Sequence, residues 1–186
     1  NCCEKFTHSQ VQLLDLSNNF FHEQHHWPQI IYVLGAFPNL KSLNLSATNL
    51  QCSDRYCYSG YYNNSNSSSH SNNSSHYARR LMLHVLPELK HLVVLNLSFN
   101  TDIFQLYDTK FITDVFVNQC LCNLPALTQL WMRNCFMKEP IVFEILQAIA
   151  KANNCLAQRM QVIQMQNNNV TMKFFNQGLV NLLLKF

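Results

Sequence analysis

One nine-residue pattern, L-x-x-L-x-L-x-x-N, limits this chain more than any other feature. It stands as Leu92, Leu95, Leu97 and Asn100, and the same offsets recur four more times. Val11, Leu14, Leu16 and Asn19 form the first copy. Leu40, Leu43, Leu45 and Thr48 form the second, with Thr in the Asn slot. Leu127, Leu130, Met132 and Cys135 follow, and Met160, Ile163, Met165 and Asn168 form the last. The central x-L-x reads as a short strand, whose leucine points inward while its neighbours point outward. The slot residue turns inward where the chain leaves the strand. There it meets backbone groups that the turn would otherwise leave unpaired. One such unit cannot bury its apolar face alone, whereas a stack of them can.

The intervals between the central residues are long. They are 29 positions from Leu14 to Leu43, 52 to Leu95, 35 to Leu130 and 33 to Ile163. Each leaves room for a helix. Pro28 fits a first helical turn, where its missing N–H costs nothing, with Ile30, Ile31 and Leu34 facing a core and Gly35 at the end. Further helices are expected over Ala78 to Leu86, Lys110 to Cys122, Glu139 to about Ala152, and Thr171 to Leu184. The excess in the long interval is a polar Asn/Ser tract over residues 51–76, which is too poor in apolar residues to build a core. It reads as a disordered insert within a single domain of about five repeats covering 1–186.

Strand and helix in alternation predict an α/β architecture. Parallel strands would line the concave face of a solenoid, or horseshoe, and helices its convex face. This pattern resembles the helical, ribonuclease-inhibitor-like class of the leucine-rich repeat superfamily, over roughly Val11 to Leu184. Members of that class are mostly binding scaffolds, which implies a non-enzymatic protein that holds a protein partner. The first two repeats, with Trp27 before the helix and Pro38-Asn39-Leu40 before the strand, are similar to tubulin-folding cofactor E and its relatives. That resemblance implies tubulin as the partner. The same stretch resembles the repeats of nuclear RNA export factors, which implies RNA or protein binding as an alternative, although the later helices here are longer.

Composition narrows the partners. A formal net charge of +3, with 12% charged residues, does not call for nucleic acid. No apolar run approaches the roughly 20 residues of a membrane span. The 8 Cys are scattered rather than clustered as terminal caps, so they read as reduced thiols inside a cell, in the cytoplasm or nucleus. Several N-x-S/T sequons, as at Asn63 and Asn169, are what an Asn/Ser-rich chain produces by chance. The chain starts without Met or a signal-peptide pattern and reads as an excised piece. Its apolar end, Leu179 to Phe186, reads as a repeat helix whose next repeat is missing.

Two metal-like patterns are weak. His22-Glu23-Gln24-His25-His26 matches H-E-x-x-H, in which a helix would put both His on one zinc ion with Glu as base. Pro28 places any helix after the motif, and no third ligand follows at the usual distance, so a zinc hydrolase is a minor alternative to a polar loop. Cys52, Cys57, His70 and His76 have zinc-finger spacing but lie in the Asn/Ser tract without the small core a finger needs. No cofactor is expected. The candidate binding residues lie on the outward columns beside the inward leucines. Asp15, Asn44, Asn96, Trp131 and Gln164 form one column, and Ser17, Ser46, Ser98, Arg133 and Gln166 the next. Trp131 and Arg133 flank the inward Met132, and a Trp–Arg pair among small polar residues has the composition of an interface hot spot. Asp15, Asn96, Gln164 and Gln166 complete the expected surface, with Asp15 as a charge at its far end.

Overall fold

A computed structural model describes residues 10–21, 26–50, 77–101, 103–104, 109–151 and 156–171. The Asn/Ser tract, His22 and Glu23, the four zinc-finger-like ligands and the expected helix after Thr171 lie outside the described residues.

The five copies of the pattern become five three-residue strands: β1 (Leu13–Asp15), β2 (Ser42–Asn44), β3 (Val94–Asn96), β4 (Gln129–Trp131) and β5 (Val162–Gln164). They form one parallel sheet in sequence order. The central residues align across it, Leu14 to Leu43 to Leu95 to Leu130 to Ile163. A one-residue slip would turn a strand's leucine out of the core, so burial fixes this register. Leu43, Leu95 and Leu130 are wholly buried.

Helices fill the intervals. α1 (Trp27–Leu34) starts one residue before Pro28, which sits in its first turn as expected. α2 (Tyr77–Arg80) continues as wide π-helical turns over Leu81–Val85 and a 3-10 turn at Leu86–Glu88. α3 (Thr109–Phe111) continues likewise over Ile112–Cys120 and Leu121–Asn123, one residue beyond the expected span at each end. α4 is Glu139–Lys151 and α5 is Leu156–Arg159. The α3 segment packs against the α2 segment on one side and α4 on the other. Flanked on both sides, it buries three consecutive residues, Val115, Phe116 and Val117, more than a simple amphipathic stripe would. Inward strand residues and helix residues make one continuous apolar core. Among the described residues, no helix is long and apolar enough to cross a membrane.

The slot residues do what their types allow. Asn100 Nδ2 donates to the carbonyls of Leu97 (3.0 Å) and Leu45 (2.8 Å), and its Oδ1 accepts from the N–H groups of Thr48 (3.2 Å) and Leu50 (2.9 Å). Asn168 does the same between β5 and β4, with Met165 and Met132 as acceptors and Cys135 and Met137 as donors. Thr48 and Cys135, with fewer donors, reach Leu45 O (2.7 Å) and Leu97 O (3.4 Å). An amide in the slot therefore ties its own turn to the preceding one.

Candidate functional site

The outward face of the sheet carries three columns. Two were read from the sequence. The third is Leu13, Ser42, Val94, Gln129 and Val162, one residue before each inward centre. Strand alternation alone would have placed it there. Leu13 is 75% exposed, so the face begins with a bare apolar side chain at β1.

The polar residues of the second column divide into two kinds. Asp15 Oδ1 accepts the N–H of Ser17 at 2.8 Å, Asn44 Oδ1 that of Ser46 at 3.1 Å, and Asn96 Oδ1 that of Ser98 at 3.0 Å. These are Asx turns, in which the side chain substitutes for a backbone acceptor as the strand ends. Asn96 corrects the expectation of a free partner-binding residue. It stands in register between Asn44 and the large Trp131, is 8% exposed, and is spent on the buried Ser98 amide. Asp15 is exposed but is likewise engaged with Ser17. Its carboxyl is held below the usual carboxylate value, first by the Ser17 side chain and then by the Ser17 backbone.

Trp131 and Arg133 differ. Both are half-buried, and the Arg133 guanidinium carbon lies 5.9 Å from the centroid of the Trp131 ring, within cation–π range. The Arg133 N–H donates to Ser98 Oγ at 3.1 Å and its carbonyl accepts from Phe99 N at 2.7 Å, so the backbone is fixed. The side chains are not satisfied. Trp131 Nε1 and Arg133 Nε are shielded from water yet have no hydrogen-bond partner. A shielded donor without an acceptor is unfavourable by about 1–3 kcal/mol. Gln164, half-buried, and Gln166, exposed, follow on β5. The structure thus brings Trp131, Arg133, Gln164 and Gln166 together on adjacent strands, with Asp15 three strands away.

The exit turns add residues that sequence reasoning missed. The residue before each slot has positive φ: Asn18 (58°), Ala47 (53°), Phe99 (60°), Asn134 (52°) and Asn167 (58°). Asn tolerates this left-handed conformation, whereas other L-residues lose about 1–2 kcal/mol. Phe136, just past the β4 slot, also has positive φ (49°). Phe99 is 50% and Phe136 47% exposed, so both residues combine backbone strain with exposure. The visible signal is that three of the five pre-slot residues are Asn, against which Phe99 stands out.

Elsewhere the chemistry is sparse. Burial pushes the Cys135 thiol up to about 12 and raises those of Cys120 and Cys122, leaving them protonated and unreactive near neutral pH. All three are free. Among the described residues, no group of three or more His, Cys, Asp or Glu is placed to hold a metal ion. His26, the described residue of the H-E-x-x-H motif, precedes α1 and lines an apolar cleft with Leu14, Leu16, Phe21 and Ile30. No family model matches the chain, and no curated protein matches it significantly.

Proposed function

We propose that this chain is a leucine-rich repeat scaffold of the helical class, and that the outward face of its sheet binds a protein partner without chemistry of its own. Five in-register strands and the slot side chains that tie neighbouring turns support the repeat reading. Extended as a solenoid, such a sheet is a preformed platform and a partner meets little ordering cost on this side. The observation that carries the binding reading is the Trp131–Arg133 pair. The guanidinium carbon lies 5.9 Å from the ring centroid, and both side chains are half-exposed among small polar neighbours. A bound partner that covers the open part of this pair buries a large aromatic ring and a guanidinium together, which is the character of a hot spot. Gln164 and Gln166 extend the surface as adaptable polar contacts, and Leu13 supplies an apolar contact at β1.

The test compares the chain with its Trp131→Ala, Arg133→Ala double variant as baits, first against purified tubulin, the partner implied by the cofactor-E resemblance, and then against cell lysate with mass spectrometry. A protein held by the first and lost from the second should, once purified, bind the variant about 30-fold more weakly, a loss of ~2 kcal/mol. The variant's thermal melt should stay cooperative. Equal retention by both baits would reject the sheet face as the binding site.

A further inference from the structure

Resting on that reading of the sheet face, we infer that its occupant is an acidic peptide segment. A partner Asp or Glu carboxylate seats on the Arg133 guanidinium, and the apolar side chains beside it cover Phe99, Trp131 and Phe136.

Charge supplies the first support. Arg133 is the single cation in the three outward columns, and it has no carboxylate partner among the described residues. Its guanidinium carbon lies 5.9 Å from the Trp131 ring centroid, and the side chain is half-exposed. A planar fork in this state matches a carboxylate, which accepts from two of its N–H groups at once. One isolated cation does not match a polyanion. Nucleic acid binding draws on several Lys or Arg set along a phosphate backbone, and the neighbours here are Ser98, Gln164, Gln166 and Gln129.

Strain supplies the second. Phe99 sits where Asn18, Ala47, Asn134 and Asn167 stand at the other exits, all in the left-handed region. A phenylalanine is strained in that conformation, and Phe99 and Phe136 are also about half exposed. Their backbones are close to that of the pair: Phe99 N–H donates to Arg133 O, and Phe136 follows Arg133 by three residues. An occupant that covers the two rings recovers apolar burial the free chain forgoes. The expected ligand is therefore a carboxylate with large apolar residues next to it.

The full chain would be panned against a displayed library of short random peptides, with labelled oligothymidine titrated in parallel. The expected peptides carry Asp or Glu beside an aromatic or aliphatic residue. Changing that acid to its amide should weaken binding about tenfold or more, Arg133→Gln should do the same, and the two together should be no worse than either alone. The Phe99→Asn, Phe136→Asn variant should melt higher than the parent and bind the same peptides more weakly, which separates loss of binding from loss of fold. Peptides without acidic bias, or additive effects of the two amide changes, would overturn the inference. So would salt-sensitive oligothymidine binding tighter than any peptide's, or a failure to enrich any peptide. If Trp131→Ala abolishes peptide binding while Arg133→Gln leaves it intact, the sheet face remains the site and only the acidic occupant is rejected. If both variants bind as the parent does, both readings fall.

Discussion

The exits of β1, β2 and β3 close on themselves; those of β4 and β5 do not. In the first three strands, Asp15, Asn44 and Asn96 each accept the N–H of a serine two residues on. In β4 the same two positions hold Trp131 and Arg133, and in β5 they hold Gln164 and Gln166. Trp and Gln cannot form that short turn, and the Arg133 amide goes instead to Ser98 Oγ on the neighbouring strand. Equivalent columns thus contain side chains with different tasks. The first three strands use their outward polar groups to end themselves, and the last two release theirs. The unpaired donors of Trp131 and Arg133 occur where the local turn bond has been given up.

Two substitutions probe the closed side and the slot that supports it, and a third probes the open side. The largest effect should come from Asn100→Ala. It strands two buried amides, of Thr48 and Leu50, and takes one of two donors from the carbonyls of Leu45 and Leu97, so urea unfolding should show a loss of about 4 kcal/mol. Asn96→Ala comes next. It removes the acceptor of the Ser98 amide inside the sheet and should lower stability by about 1–2 kcal/mol. Gln164→Ala, its counterpart on the open side, should stay within about 0.5 kcal/mol. Equal costs at these two positions would erase the distinction between closed and open exits.

The inward half of this arrangement was legible in the sequence and the outward half was not. Leu43, Leu95, Leu130 and the slot residues have types and offsets that only a stacked core explains, and they took the expected positions. The helices at Trp27, Glu139 and before β4 fell within a residue or so of their expected spans. Trp131 and Arg133 were singled out because bulk and charge among Ser and Asn are visible in composition. Asn96 was misread because its burial depends on the neighbours that register places on either side. The Asx turns escaped because Asp, Asn and Ser on an outward column look like ordinary surface polarity until the hydrogen bond is seen. Phe99 and Phe136 escaped for another reason: a phenylalanine predicts an extended or buried residue, and only the backbone reveals the positive φ.

Converting the open side into the closed one is a sharper test. The Trp131→Asn, Arg133→Ser variant gives β4 the Asn-x-Ser exit of β2 and β3. One new turn bond offsets part of the lost Trp packing, so stability should change by no more than about 1 kcal/mol while partner retention is lost. A large destabilisation would mean that Trp131 is there to pack, and that the open exits are a structural compromise.

The smallest effect is the most specific to the closed exits. Asp15 is the one member of its column that titrates, and its pKa is lowered from the ordinary 3.8 by the hydrogen bonds of Ser17. A carboxyl whose folded pKa is depressed contributes stability above its unfolded pKa and loses it as pH falls through the folded one. The contribution should thus be fully present near neutral pH and disappear only below about 3.8, and it should be slight because the group is exposed. The Ser17 amide resonance should follow this titration, with a midpoint below 3.8, while the Ser46 and Ser98 amides, bonded to asparagines, do not move with it. Asp15→Asn keeps an acceptor in place and should leave the Ser17 amide protected and independent of pH. A midpoint at or above 3.8 would mean that the Asp15 carboxylate draws nothing from the turn and stands free, in which case β1 belongs with β4 and β5.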